Sequence, residues 1–165
     1  MTKTRQDLYL ILNNIRSAYN VGSIFRTADG AGVAKIYLCG ITPVPSAIGG
    51  ATGQAPSKIA KTALGAEKSI SWEYYKQALR LLKKLQATGV QIVVLEQTPR
   101  SIDYRKFKPK FPMALIVGNE VRGINKKILS YANKIVEIPM YGKKESLNVA
   151  VATGIALYQL SEKRR

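Results

Sequence analysis

Five short apolar runs, Leu8 to Leu12, Ile36 to Cys39, Val90 to Leu95, Met113 to Val117 and Ile135 to Ile138, constrain the fold of this chain more than any other feature. They lack clean polar alternation, as expected of strands covered on both faces. Helical spacing fills the intervals. Val21, Ile24, Phe25, Ala28 and Ala31 recur on one face after Asn20. Tyr75, Ala78, Leu79, Leu82 and Leu85 mark a second face, with Lys76, Arg80, Lys83 and Lys84 opposite and Gly89 as the stop. This alternation predicts an α/β fold, a mostly parallel sheet with helices on both faces. The Pro- and Gly-rich stretch from Gly40 to Ser57 is expected to be mostly loop, and loops of that length are often functional. A final helix is expected from about Ser146 to Leu160; it is apolar on nearly every side, so more than one surface must cover it, and a second subunit is a candidate. With 165 residues, 46% of them hydrophobic, and no internal repeat or linker, the chain is expected to form one domain, 1–165.

Lys and Arg number 26 against 10 acidic residues, a formal +16, and no histidine is present to vary that charge near neutrality. Such an excess favours a polyanion through phosphate neutralisation, although an anionic membrane or a merely soluble basic surface would also account for it. Cys39 is the sole cysteine. No intrachain disulfide can form, and within an apolar run the thiol is expected to be buried and inert. Without histidine the commonest zinc ligand is missing, and no metal site is expected. Met1 to Asp7 are polar and no apolar run reaches membrane-spanning length, so a soluble, cytoplasmic protein with no membrane partner is expected.

Three polar motifs stand out. Asn20-Val21-Gly22-Ser23-Ile24-Phe25-Arg26 fits Asn-x-Gly-x-x-x-Arg, and on a helix Arg26 points away from the apolar face. By itself this is an Asn cap followed by a solvated arginine; functionally, it is a guanidinium held toward a phosphate or growing oxyanion. Gly118-Asn119-Glu120-Val121-Arg122-Gly123 directly follows a strand. Open α/β sheets bind ligands at strand C-termini, but a tight turn explains the glycines equally well. Neither a dinucleotide fingerprint nor a phosphate loop is present. The third motif, Ser146-Leu147-Asn148 at the mouth of the last helix, follows Ile138-Pro139-Met140. Ser or Asn there caps the helix or holds a ligand.

In order and spacing the three motifs resemble the signatures of the SpoU, or TrmH-type, RNA ribose 2'-O-methyltransferases of the SPOUT class, across nearly the whole chain from Asn20 to Gly154. The resemblance implies S-adenosyl-L-methionine as methyl donor, a homodimer, and a C-terminal trefoil knot that general topology rules would not suggest. By the same resemblance, Leu95, Gly118, Ile138, Met140, Ser146 and Leu147 are expected cofactor contacts. Asn20, Arg26, Glu120 and Asn148 are the expected catalytic cluster. A free guanidinium hardly loses its proton near neutrality, so Arg26 is read as binding the substrate phosphate and the oxyanion rather than as the base.

RNA is the expected partner, tRNA ahead of ribosomal RNA. Candidate contacts are Lys58 and Lys61 beside the Gly49 to Gly53 loop, Arg105, Lys106 and Lys108, and Arg122. Tyr104, Phe107 and Phe111 are interleaved with the 105–110 cations; they either stack on bases or tuck into the core beneath a solvated basic loop. Many members of the family carry an N-terminal RNA-binding domain, whereas here the first motif begins by Asn20. RNA is therefore expected to meet the domain's own surface, a partner subunit or the tail Lys163, Arg164 and Arg165. Two other functions fit the sequence: a non-catalytic RNA-binding or ribosome-assembly protein on the same fold, and a SPOUT base methyltransferase. The first has no need of the full polar set, and the second is expected to lack the Asn20 to Arg26 arrangement.

Overall fold

The computed structural model describes residues 6–46 and 57–164. Among the described residues seven strands form one sheet: β1 (Leu8–Asn13), β2 (Lys35–Cys39), β3 (Trp72–Tyr75), β4 (Gln91–Leu95), β5 (Ile102–Asp103), β6 (Met113–Val117) and β7 (Lys134–Glu137). Their order is β3-β2-β1-β6-β4-β7-β5. Every pairing among these strands is parallel. The non-alternating runs are explained by burial on both faces: β6 is buried at all five positions.

Helices cover both faces. On one face α1 (Ala18–Gly30), α2 (Lys58–Ala63), α3 (Ala66–Ser69) and α6 (Val149–Glu162) enclose a core that includes Leu10, Leu12, Phe25, Leu115 and Leu157. On the other, α4 (Ala78–Ala87) and α5 (Lys126–Leu129) cover Ile11, Cys39, Ile92, Val94 and Ile116. Cys39 is fully buried, and that burial pushes its thiol up to about 12. Among the described residues no helix is long and apolar enough to cross a membrane, and no cluster of three or more potential metal-binding side chains forms.

Several local expectations are corrected. Tyr75 ends β3 instead of opening a helix, and α4 starts at Ala78. β3 escapes a pattern search because its four residues, Trp72-Glu73-Tyr74-Tyr75, are all partly or largely exposed at the sheet edge. α1 is capped by Ser17, whose Oγ accepts from the Asn20 backbone N–H at 3.2 Å, so Asn20 lies inside the helix and is not its cap. α6 begins after Asn148 rather than at Ser146. Of the aromatics in the basic segment, Phe107 is buried, and Tyr104 and Phe111 pack on the same core. Phe107 therefore tucks beneath the basic loop, and Tyr104 and Phe111 are partly covered by the same core. The Gly49 to Gly53 loop and Arg165 lie outside the described residues.

Candidate active site

The exits of β4, β6 and β7 converge because these strands are neighbours in a parallel sheet, which aligns their C-terminal ends. Around those exits lies a cavity of about 780 Å3. Leu95, Gly118, Ile138, Met140, Ser146 and Leu147, the six expected cofactor contacts, all line it, together with Glu120, Arg122 and Asn148. They come from three separate strand exits and the approach to α6.

The turn after β6 is built by its own side chains. Asn119 Oδ1 accepts from the backbone N–H groups of Val121 at 2.9 Å and Arg122 at 2.8 Å, and its Nδ2 donates to the Asn14 carbonyl at 3.0 Å. Glu96, just past β4, accepts from the Ile124 N–H at 3.0 Å and from the Gln97 N–H at 2.9 Å. Gly123 has φ +66°, and a Cβ there would stand 2.4 Å from Glu96 Oε2. The turn therefore needs glycine both for its left-handed backbone and for the close carboxylate. Neither Asn119 nor Glu96 is singled out by sequence reasoning. The available signals are Asn before the acidic turn residue and a carboxylate immediately after a buried strand.

Glu120 ties this turn to the start of α1. Its carboxylate accepts from the backbone N–H groups of Arg16 at 3.2 Å and Ser17 at 3.3 Å, and from Asn20 Nδ2 at 3.4 Å. Asn20 Oδ1 in turn accepts from Asn148 Nδ2 at 3.3 Å. Asn148 Oδ1 caps α6, accepting from Ala150 N–H at 2.8 Å and Val151 N–H at 3.2 Å. Burial pushes the Glu120 carboxyl up, but hydrogen bonds from its own backbone and from Arg16, Ser17 and Asn20 outweigh it, and the net direction is down. The carboxylate is thus held ionised beside the positive end of α1.

Three of the four expected catalytic residues therefore meet, while Arg26 does not line the cavity. It is exposed on α1, and its side chain makes no hydrogen bond or ion pair to a described residue. The expected RNA contacts do not form one patch. Lys58 and Lys61 are exposed on α2, with Lys58 Nζ 6.0 Å from the centre of the Tyr19 ring. Lys106 and Lys108 are exposed in the segment after β5, the outermost strand at the far edge. Arg105 is committed to Asp103, through Nε at 3.0 Å, and to the Tyr141 hydroxyl at 2.9 Å.

The SpoU rRNA methylase family model matches residues 7–158. A tRNA (guanosine(18)-2'-O)-methyltransferase of Aquifex aeolicus is 32% identical over 168 residues, covering 99% of this chain and 73% of its own length. A 23S rRNA (guanosine-2'-O-)-methyltransferase of Shewanella oneidensis is 32% identical over 167 residues, covering 100% of this chain and 63% of its own. The crystal structure of the A. aeolicus TrmH/SpoU tRNA modifying enzyme aligns with a TM-score of 0.80 at 31% identity, over 97% of this chain and 76% of that one. An AdoMet-bound rRNA methyltransferase from Sinorhizobium meliloti aligns with a TM-score of 0.83 at 30% identity, over 96% of this chain and 56% of that one. The match to the family model over nearly the whole chain, with a parallel sheet that superposes on its solved members, shows that this chain belongs to the SpoU methylase family.

Proposed function

We propose that the chain is an S-adenosyl-L-methionine-dependent RNA ribose 2'-O-methyltransferase that acts on tRNA as a homodimer. One observation carries the reading: six residues scattered from Leu95 to Leu147 line one cavity at the strand exits. Relatives named as tRNA and 23S rRNA guanosine 2'-O-methyltransferases support the reaction class. The residues present fit the donor. The cavity's volume is within the range of about 300–1,000 Å3 typical of small-molecule sites. Leu95, Leu129, Ile138 and Met140 give it an apolar wall. At Gly118 a Cβ would stand 2.4 Å from Ile124 Cδ1, so the backbone there lies close against the neighbouring turn.

Bound there, the donor supplies an electrophilic methyl group on a sulfonium. Leu95, Gly118, Ile138, Met140, Ser146 and Leu147 hold it and exclude water. Glu120, Asn20 and Asn148 fix the start of α1 and the start of α6 relative to the turn after β6, so that the acceptor hydroxyl meets a rigid frame. Arg26 serves by binding, through its planar set of donors, the phosphate beside the target ribose and the charge that grows on its 2'-oxygen. Its position outside the cavity fits a contribution made across a subunit interface. The knot of the family is proposed for the C-terminal segment, supported by β6 and β7 flanking β4 on opposite sides.

The test is incubation with labelled donor and total RNA from a strain lacking the gene, followed by mapping of modified nucleotides. Ribose methylation at a tRNA position is the expected result. Methylation of ribosomal RNA overturns the substrate, methylation of a base overturns the reaction, and no incorporation despite RNA binding overturns the enzyme.

A further inference from the structure

Tyr141 is 82% exposed, yet its ring is tethered through its hydroxyl. Its hydroxyl accepts from Arg105 Nη2 at 2.9 Å, and Arg105 is held in turn by Asp103, through side-chain Nε at 3.0 Å and backbone N–H at 2.9 Å. Asp103 belongs to β5, which pairs with β7, so the chain of contacts runs from the ring into the sheet. The Arg105 guanidinium holds the Asp103 carboxyl down at about 2, and the pair stays charged at neutral pH.

The ring also sits at a particular place. Residues 141–145 join two stretches that line the cavity, Ile138 with Met140 on one side and Ser146 to Asn148 on the other. The far end of this rim is fastened as well, by Gln97 Nε2 donating to the Glu145 carbonyl at 2.7 Å. Lys143 and Lys144 are exposed on the rim itself and Lys106 follows Arg105 in the chain; of the acids, Asp103 is spent on Arg105, Glu137 lines the cavity and Glu145 is on the loop. A pre-ordered aromatic face among cations loses little freedom when a flat ligand stacks on it. The buried Phe107 cannot take that role, and Tyr104 and Phe111 are both more covered than Tyr141.

We propose that Tyr141 is a base-stacking platform, presenting its ring to an unpaired nucleobase of the RNA next to the reacting ribose, with Arg105 as the residue that positions it. The proposal rests on the RNA methylation reading above and adds the residue that receives the base.

The chain's single tryptophan, Trp72, makes a direct test available. In a Trp72→Phe background, Tyr141→Trp puts the only indole on the rim. A short unstructured RNA oligonucleotide is expected to quench it, while an abasic ribose-phosphate oligonucleotide of equal length leaves it unchanged. Tyr141→Ala is expected to weaken binding of bulk tRNA roughly tenfold. Tyr141→Phe and Tyr141→Trp restore only part of that affinity, because they keep a ring but lose the hydroxyl that Arg105 holds, and donor affinity by calorimetry is the same in all. Equal quenching by the abasic strand, or tRNA affinity in Tyr141→Ala equal to wild type, overturns the proposal. A changed oligomeric state of Tyr141→Ala in light scattering also overturns it, by assigning the ring to a protein interface. The two readings fail separately: RNA binding with ring-dependent quenching but no methyl transfer sinks only the activity, whereas full methylation and tight binding by Tyr141→Ala sink only the platform.

Discussion

Asn148 serves two helices with one amide. Its oxygen caps α6 and its nitrogen reaches Asn20 inside α1, which carries the connection on to Glu120. Asparagine places its acceptor and its donor on two separate atoms of one short side chain, whereas a Ser or Thr cap has one oxygen for both and Asp has no donor when ionised. Asn148→Asp keeps the cap but replaces the donor with an oxygen that faces Asn20 Oδ1. Its stability by urea melting is expected to stay within about 0.5 kcal/mol of wild type, because Asp and Asn cap equally well, while methyl transfer falls sharply. Asn148→Ala loses about 1 kcal/mol as well. Wild-type turnover in Asn148→Asp would show that the link to Asn20 does nothing for the reaction. The residue types of this cluster were legible from the motifs; that Glu120 binds the backbone of Arg16 and Ser17, about a hundred positions earlier, was not.

At the scale of elements, α1 is placed by how closely α2 approaches it. A Cβ at Gly22 would stand 2.0 Å from Thr62 Oγ1 and 2.3 Å from the Ile59 carbonyl oxygen, and Thr62 Oγ1 also donates to the Tyr19 carbonyl at 2.8 Å. The glycine of the first motif therefore acts in helix packing. Gly22→Ala must push the helices apart, and since the obstacle includes backbone, a loss of about 2 kcal/mol is expected in the urea midpoint. An unchanged midpoint would mean that α2 can shift freely on α1. The helix face with Ala78, Leu82 and Leu85 was legible because one-sided burial imposes a repeat on the chain, and the strands Leu8–Asn13 and Met113–Val117 because burial on both faces leaves an almost unbroken apolar run. β3, the two-residue β5, and the short helices α2, α3 and α5 were not, because edge exposure and brevity leave too few positions for a period to show.

For the whole molecule, α6 states what a single chain leaves undone. It buries Thr153, Ala156, Leu157 and Leu160 but exposes Val151, Ile155 and Tyr158 on the opposite side, an apolar stripe one further surface could cover. In the proposed homodimer Arg26 of one subunit serves the cavity of the other, so two inactive variants should complement. Arg26→Lys keeps charge but loses the planar fork, and Gly118→Ala disturbs the donor site of its own chain. Mixed in equal amounts under exchange, they are expected to recover about a quarter of wild-type turnover, since half the dimers are mixed and each has one intact site. No recovery would place Arg26 and the cavity in the same chain's service. Sequence alone determined the alternation of buried strands and amphipathic helices, the basic charge and the polar motifs, because each is a local property written in composition and period. Only the tertiary structure decided that Asn20 and Asn148, 128 positions apart, touch, that Tyr141 is fastened through Arg105, and that Phe107 of the basic segment lies in the core with Tyr104 and Phe111 packed against it. Such meetings depend on strand order, on β6 lying between β1 and β4, and that order is set by packing among residues distant in the chain.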